Sequence, residues 1–196
     1  MSATPDLNRT FTEKEYFDLL RSSQHRMEFH DGQITMMAGA KRNHNRIIRN
    51  LIAASISNSA GCSVYTSDTA VHIPSDKSYY YPDLFAVCGE ESFDESDGIE
   101  KVLNPSLLVE VLSPSTRSRD EGLKFSGYKT LPSFQEYVAI DSEALLVKTY
   151  YKATSGQWEI GSFYRLDQSV EIKTLQLQLP MVVIYAGIDF EGSNFK

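Results

Sequence analysis

A single carboxylate interrupts an otherwise apolar stretch of the chain. Glu110 is the fourth of six residues in the run Leu107–Leu112, which Pro105 precedes and a Ser-Pro-Ser sequence follows. The length and the flanking residues of this run predict a strand that is buried on both faces. Because burying an unpaired carboxylate is costly, the chain must place a cation, a metal or a proton close to Glu110.

Two further residues have the chemistry that Glu110 needs. Asp83 follows Pro82 at the start of another predicted strand, and the carboxylates of Asp83 and Glu110 converge if the two strands pair. Mg²⁺ prefers such oxygen ligands and keeps several waters, so two carboxylates and a main-chain carbonyl are enough to hold it. Lys124 lies beyond a Ser-Pro turn, on a predicted helix that can pack back over the strand. An ammonium beside such a metal suits hydrolysis of a phosphodiester bond, because it can orient the attacking water and stabilise negative charge.

A β-hairpin is predicted over residues 26–38. Asp31-Gly32 is a pair suited to a two-residue turn with positive φ. Counting outward from this turn gives the pairs His30–Gln33, Phe29–Ile34, Glu28–Thr35 and Met27–Met36. Glu28 then projects away from the apolar Phe29–Ile34 pair.

Three helices are predicted from capping and apolar spacing. Thr12 with Glu15, and Ser118 with Glu121, have the spacing of capping boxes. The predicted helices cover residues 12–22, 43–59 and 119–131, and the second is expected to stop at Gly61. On the third helix a polar stripe recurs every four residues, formed by Asp120, Lys124 and Tyr128.

The remaining apolar segments predict a sheet. The predicted strands cover residues 62–66, 70–73, 82–88, 107–112 and 134–141, and residues 145–179 alternate as in an antiparallel sheet. The acidic segment 89–100 is predicted to be a mobile loop. Together these elements predict an α/β fold of the α+β mixed-sheet type. A mixed central β-sheet is flanked by helices and followed by a β-rich C-terminal extension, in one domain over residues 1–196.

Composition excludes several classes of protein. The chain has 196 residues and a formal net charge of −7, with 41% hydrophobic and 23% charged residues, as in a soluble globular protein. No apolar run approaches the ~20 residues that span a membrane, and the N-terminus has no signal-peptide pattern, so a cytoplasmic location is expected. Cys62 and Cys88 are too few for a disulfide framework or a zinc site and are expected to be small buried apolar residues.

Basic residues cluster despite the acidic balance. No Asp or Glu occurs from residue 32 through residue 67, and this window contains Lys41, Arg42, Arg46 and Arg49. Such a cluster can be a nucleic-acid contact, to which His44 at the start of the same helix would add. It can equally be the solvated face of an ordinary helix.

The pattern of motifs resembles a known family. The matching residues are Pro82-Asp83, Glu110 with the following Ser113-Pro114-Ser115-Thr116, Asp120, Lys124, Tyr128, Glu136-Tyr137 and Asp141. With Glu28, Asp31-Gly32 and His44 upstream, they resemble the Uma-type family of putative restriction endonucleases, a branch of the PD-(D/E)XK nuclease superfamily. The similarity extends from Thr12 to about Leu179.

The resemblance implies a role for each residue of the site. Asp83 and Glu110 would bind Mg²⁺ or Mn²⁺ with the carbonyl of Val111, and Glu28 would add a catalytic acid at the edge of the site. The superfamily usually carries its lysine two residues after the acid, where this chain has Leu112. The resemblance therefore implies a migrated catalytic lysine, Lys124. DNA is the expected substrate and a homodimer the expected assembly.

Other interpretations remain open from the sequence. Lys124 and Glu110 can form a structural ion pair, in which case the protein is a catalytically inactive nuclease-fold module that binds nucleic acid or a protein partner. Asp83 and Glu110 can also form the acid/base pair of a glycoside hydrolase, although Trp158 is the only tryptophan available for stacking on a sugar.

Overall fold

The computed structural model describes residues 9–37, 39–56 and 60–190.

The α-helices are α1 (Glu13–Ser22), α2 (Arg42–Ile56), α3 (Phe125–Tyr128) and α4 (Met181–Ile184). A π-helical segment, Arg119–Lys124, leads directly into α3. The first eight strands are β1 (Met27–His30), β2 (Gln33–Met36), β3 (Cys62–Thr66), β4 (Ala70–Ile73), β5 (Ser78–Tyr80), β6 (Leu84–Cys88), β7 (Phe93–Asp94) and β8 (Lys101–Val102). The others are β9 (Leu107–Leu112), β10 (Glu136–Asp141), β11 (Val147–Lys152), β12 (Trp158–Phe163), β13 (Ser169–Ile172) and β14 (Leu177–Pro180). Each helix of these segments is too short or too polar to cross a bilayer.

The strands form two mixed six-stranded sheets and a small two-stranded sheet. The first sheet has the order β2-β1-β5-β4-β8-β7, the second has the order β12-β11-β10-β9-β6-β3, and β13 pairs with β14. In the second sheet β9 runs parallel to β10 and antiparallel to β6. The fold is therefore the mixed α+β architecture that the sequence predicts.

Strand β9 lies at the centre of the second sheet and separates two apolar clusters. All six of its residues are buried. Leu107, Val109 and Val111 face a cluster that includes residues of α2 and α4, whereas Leu108 and Leu112 face a cluster that includes Tyr80 and Tyr128. Because side chains alternate along a strand, Glu110 lies on the same face as Leu108 and Leu112.

The N-terminal elements follow the prediction closely. Thr12 and Glu15 form both bonds of the capping box at the start of α1. The four predicted pairs of the hairpin all occur, with Asp31 at φ 40° and Gly32 at φ 86°. A Cβ on Gly32 would lie 2.4 Å from Thr10 Cγ2, so this position requires glycine both for its backbone conformation and for its close packing.

The boundaries of several other elements differ from the prediction. Helix α2 starts at Arg42, and residues 57–59, like Ala38 at the end of the hairpin, lie outside the described residues. Strands β6 and β10 each begin two residues later than expected. The C-terminal extension contains β11 to β14 as an antiparallel arrangement, as predicted.

The second predicted capping box is wrong. Ser118 has helical backbone angles and makes no side-chain cap bond. A cap residue needs an extended backbone, and here the chain is already turning, because the Arg117 amide donates to the Ser113 carbonyl at 3.0 Å. The helical region is also shorter than expected, since α3 ends at Tyr128 and not at residue 131.

The acidic segment is mostly loop, as its composition predicts, but it contains one short strand that was not predicted. Strand β7 lies inside it and pairs with β8. Lys101 of β8 is almost completely buried, and its ammonium lies 3.1 Å from Asp94 and 2.6 Å from Asp97. A buried cation thus neutralises two of the acids of the segment.

The two cysteines form a disulfide bond, so the expectation that they serve only as small buried apolar residues is wrong. Cys62 and Cys88 are 26 positions apart in the chain, but the pairing of β3 with β6 places them directly opposite each other. Their Cα atoms are 4.2 Å apart. Spacing in the sequence could not reveal this pair, because only the strand register brings the two residues together.

Loss of this disulfide is expected to destabilise the protein. The bond constrains a loop of the unfolded chain, and a loop of this length corresponds to about 3 kcal/mol in the free energy of unfolding. Urea denaturation with and without dithiothreitol measures the effect. The Cys62→Ser, Cys88→Ser double variant is the control and should not respond to the reductant. An unchanged wild-type midpoint after reduction would contradict the prediction.

Candidate active site

Asp83 and Glu110 meet where strands β6 and β9 lie side by side. The register pairs Leu84 with Val109, so one step further along the two strands Asp83 lies opposite Glu110. Asp83 Oδ2 accepts a hydrogen bond from the Val111 amide at 2.7 Å. The structure thus brings together the two carboxylates that the sequence predicts to converge.

Lys124 lies at the centre of a buried cluster of acids. Its Nζ is 3.2 Å from Glu110 Oε1, 2.8 Å from Glu28 Oε1 and 3.0 Å from Asp120 Oδ1. Only 5% of Lys124 and 3% of Glu110 is exposed. An ammonium has three N–H donors, so these three carboxylates account for all of them.

The π-helical segment explains how one short stretch contributes three members of the cluster. In a π-helix the backbone bonds join residues five apart, so residues 119 and 124 lie in successive turns on one side. Both contact Glu28, with Arg119 Nη2 3.1 Å from Oε2 and Lys124 Nζ 2.8 Å from Oε1. Asp120 precedes Lys124 by four residues and faces it.

Glu28 is held more firmly than an acid at the edge of a site. Glu28 belongs to strand β1 and is buried, although its side chain lies on the opposite face of the hairpin from Phe29. Besides its two ion pairs, its Oε1 accepts a hydrogen bond from the Tyr81 amide at 3.2 Å. Glu28 therefore connects the first sheet to the π-helical segment.

Burial determines the ionisation of Glu110. It raises the pKa of the Glu110 carboxyl well above its usual range. The Lys124 ammonium opposes this shift, and the nearby carboxylates of Asp120, Asp83 and Glu28 add to it. The Tyr128 hydroxyl also donates to Glu110 Oε1 at 2.9 Å. Without a further cation, burial therefore favours the protonated form of Glu110.

Lys124 keeps its charge in the same surroundings. Burial alone lowers the pKa of an ammonium, and it is the largest single influence on Lys124. The carboxylates of Glu110, Glu28 and Asp120 together outweigh burial, so the pKa of Lys124 lies well above its usual range. The cluster therefore contains a permanent positive charge.

His44 contacts Asp83 from the start of α2. Its Nε2 lies 3.1 Å from Asp83 Oδ2, and its side chain is mostly buried. Burial lowers the pKa of His44, but the hydrogen bond and charge of Asp83 outweigh this effect and the pKa is raised. His44 thus links the start of α2 to the Asp83 carboxylate.

The basic residues predicted to contact nucleic acid lie at or near α2 in different surroundings. Lys41 forms an ion pair with Glu143 at 2.7 Å, and Arg46 donates to the Gly187 carbonyl at 2.6 Å. Arg49 donates to the side chain of Asn50. Arg42 is exposed.

The oxygens at the Asp83–Glu110 pair fit a hard divalent cation. The hydrogen bonds and the ion pair given for Glu110 involve its Oε1, and those of Asp83 involve its Oδ2. The register extends to place Val111 opposite Pro82, which has no N–H to donate to the Val111 carbonyl. Within residues 9–37, 39–56 and 60–190, no three His, Cys, Asp or Glu side chains are grouped to hold a metal by themselves. The donors are thus two carboxylates and one carbonyl, to which Mg²⁺ or Mn²⁺ adds water.

Two members of the cluster were not predicted as site residues. Asp120 appears in the sequence as part of a polar stripe and among the residues that match the family, without a role in the site, and Arg119 has no feature that distinguishes it from its neighbour Arg117. The spacing of Arg119 and Lys124 by five residues would place them on different sides of an α-helix. Because the segment is π-helical, the spacing of Arg119 and Lys124 in the sequence could not show that the two residues lie on the same side.

The fold is similar to that of a known protein. A crystal structure of a putative nuclease belonging to DUF820 from Anabaena variabilis is similar, with a TM-score of 0.68 and 16% sequence identity. The similarity covers 86% of this chain and 96% of that chain. The chain therefore has the fold of a protein described as a putative nuclease.

The sequence identifies the family. The model of the Uma2 family, described as "Putative restriction endonuclease", matches residues 13–182, and the chain belongs to this family. Two uncharacterized proteins of Synechocystis sp. are each 31% identical to it, over 172 residues (86% of this chain, 96% of the relative) and over 179 residues (90% and 92%). The family resemblance seen in the sequence motifs is confirmed.

Proposed function

We propose that the protein is a Mg²⁺- or Mn²⁺-dependent endonuclease that hydrolyses phosphodiester bonds of DNA. The observation that carries this proposal is the convergence of Asp83, Glu110 and Lys124 from three separate elements on one buried point. Membership of a family described as putative restriction endonuclease supports the reaction class. A buried cluster with more acids than bases is costly, which favours a functional reason for its presence.

Asp83 and Glu110 are the proposed metal ligands, with the carbonyl of Val111. When bound, a divalent cation of this kind polarises a phosphoryl oxygen and makes a neighbouring water more acidic. Tyr128 and Lys124 fix the Glu110 carboxylate through Oε1, so that Oε2 is presented for coordination. His44 and the Val111 amide fix the Asp83 carboxylate in the same way through Oδ2.

Lys124 is the proposed migrated lysine of the nuclease motif. Its position beside Glu110 places positive charge where a phosphate would acquire negative charge during hydrolysis. Glu28 and Asp120 hold the ammonium in place from two further sides. Glu28 therefore acts through Lys124, as a positioning residue rather than as an acid at the edge of the site.

The segment Lys41 to Arg46 is the proposed DNA contact near the start of α2. His44 connects this segment directly to Asp83, so DNA that lies along it would reach the carboxylates. Arg42 is exposed there and available to a phosphate. Lys41 would exchange its ion pair with Glu143 for a phosphate contact, at little cost because the pair is exposed.

A cleavage assay tests the proposal. Purified protein incubated with plasmid DNA and Mn²⁺ or Mg²⁺ is expected to nick or linearise the plasmid, and Asp83→Asn is expected to reduce the rate by about 100-fold or more. Asp167→Asn, which changes an exposed acid paired with Arg165, is the matched control and should retain the wild-type rate. Equal rates for wild type and Asp83→Asn would contradict the proposal.

A catalytically inactive nuclease-fold module is the second candidate. Two observations favour it: Leu112 occupies the usual place of the lysine, and the donors of Lys124 are all engaged by carboxylates. This candidate predicts salt-sensitive DNA binding without measurable Mn²⁺ affinity in calorimetry. Tight Mn²⁺ binding that depends on Asp83 and Glu110 would exclude it.

A further inference from the structure

Lys124, the central cation of the acid cluster, is poorly placed to reach a substrate. Lys124 cannot contact an incoming phosphate without releasing a carboxylate, since Glu110, Glu28 and Asp120 account for its three donors. Its side chain is only 7% exposed. A phosphodiester carries negative charge, and the carboxylates of the cluster repel it. Productive binding therefore needs a positive group at the exposed margin of the cluster.

Arg119 has the position and the free donors for this task. Its side chain is 23% exposed, compared with 5% for Glu28, to which it is joined. Within the described part of the chain, the Arg119 side chain makes this one ion pair, although a guanidinium has five N–H donors. Its guanidinium carbon also lies 5.9 Å from the centre of the Tyr80 ring.

The neighbouring arginine provides a contrast. Arg117 donates to Asp141 through its Nη2, and the same acid is bound by the amides of residues 143 and 144. Arg117 is therefore part of the structural support at the end of β10. Arg119 instead pairs with Glu28, a member of the acid cluster. Its guanidinium fork has the shape that binds two phosphate oxygens at once.

We propose that Arg119 binds a non-bridging oxygen of the DNA phosphate that enters the site. The proposal rests on the proposed nuclease function and assigns a substrate-binding group to it. Lys124 then supplies charge inside the cluster, while Arg119 contacts the substrate at its margin. The ion pair with Glu28 orients Arg119 and leaves most of its donors to the phosphate.

A purely structural role for Arg119 makes different predictions. If Arg119 served only to neutralise Glu28, its loss would disturb the cluster and change the thermal midpoint and the Mn²⁺ affinity. It would leave the number of protein–phosphate contacts unchanged. The salt dependence of kcat/KM reports that number, because each phosphate contact releases counterions from DNA.

The experiment compares Arg119→Gln, Arg119→Lys and wild type in Mn²⁺-dependent cleavage of a linear duplex. For Arg119→Gln we expect kcat/KM to fall by about 10- to 100-fold, as for loss of a hydrogen bond between charged groups. The slope of log(kcat/KM) against log[salt] should become shallower by about one unit. Mn²⁺ affinity by calorimetry should stay within about twofold of wild type. Arg119→Lys should recover the salt slope and only part of the rate.

Arg165→Gln is the matched control. Arg165 is an exposed arginine of the C-terminal extension whose partner, Asp167, is equally exposed, so the change removes one charge without touching the cluster. It should keep the wild-type rate and salt slope. The proposal is overturned if Arg119→Gln retains both wild-type values, or if its rate falls with an unchanged salt slope and a changed Mn²⁺ affinity. In those cases the proposed nuclease function still stands if the wild-type protein cleaves DNA. A wild-type protein that neither binds Mn²⁺ nor cleaves DNA overturns both proposals.

Discussion

Replacement of Glu110 by Gln is expected to abolish metal-dependent cleavage. Gln keeps the size of the side chain but removes the charge that a divalent cation requires, and it offers one oxygen instead of two. We expect the rate of cleavage in Mn²⁺ to fall by on the order of 10³-fold or more. Glu110 is a proposed ligand of the cation, and without the cation the site loses the positive charge that stabilises the phosphate during hydrolysis. Mn²⁺ binding in calorimetry should be lost in parallel.

Glu136→Gln provides a matched control for this prediction. Glu136 is also a fully buried strand carboxylate, and it accepts hydrogen bonds from the Lys173 and Thr174 amides at 3.1 and 2.7 Å. Because these donors are backbone amides outside the acid cluster, its replacement should lower stability without affecting Mn²⁺ binding. Glu110→Gln with wild-type Mn²⁺ affinity, or equal losses of affinity in both variants, would show that Glu110 is not a metal ligand.

Replacement of Lys124 by Met is expected to cause the largest loss of stability. The change leaves Glu28, Glu110 and Asp120 buried without the cation that they share. Removing one partner from a buried ion pair typically costs about 3–5 kcal/mol in the free energy of unfolding. Urea denaturation at pH 7 measures the loss, and cleavage activity should disappear with it.

The loss should depend on pH in a defined direction. The raised pKa of Lys124 means that its contribution is complete at pH values below about 10, where unfolded lysine is also charged. In Lys124→Met the ammonium that opposes the effect of burial on Glu110 is gone, so the pKa of Glu110 lies further above that of the unfolded chain. The cost of burying the charge of Glu110 is absent below about pH 4 and grows as the pH rises. The variant should therefore differ from wild type less at pH 5 than at pH 8.

Lys148→Met distinguishes the cluster from an ordinary ion pair. Lys148 has one carboxylate partner, Glu121, at 2.7 Å, and both side chains are partly exposed. Its replacement should cost less than about 1 kcal/mol. Similar losses of stability in the two lysine variants would contradict the role of Lys124 as the shared cation of the buried acids. A loss of stability for Lys124→Met that does not change with pH would contradict it as well.

Local sequence rules predicted the elements that local interactions determine. The hairpin at Asp31-Gly32 was predicted with its full register, since a two-residue turn and alternating side chains allow one pairing only. Strand β9 was predicted because its signals, an apolar run and flanking prolines, lie within one short stretch of the sequence. The convergence of Asp83 and Glu110 required one further assumption, that β6 and β9 pair, and this assumption is correct.

The features that the sequence did not predict depend on contacts between distant residues. The disulfide forms because β3 and β6 pair and place Cys62 opposite Cys88. This contact has no signature in spacing or composition. The π-helical segment is a similar case, because its geometry is coupled to Glu28 from the hairpin, and a four-residue period predicts an ordinary α-helix instead.

The position of Glu28 shows the same limit within the site. Its place on the hairpin was predicted correctly, opposite Thr35 and away from Phe29. Its burial was not, because the open face of the hairpin is covered by Arg119 and Lys124 from a segment about 90 residues later in the chain. A hairpin pattern specifies which side chains share a face, but not which element packs against that face.

Crystals soaked in Mn²⁺ give the most direct measurement, because the anomalous signal locates the ion independently of activity. The predicted result is one strong peak between Asp83 and Glu110, close to the carbonyl of Val111, which disappears in crystals of Glu110→Gln. Absence of any peak at that position at millimolar Mn²⁺, with Lys124 still bound to Glu110, Glu28 and Asp120, would contradict a metal-dependent site.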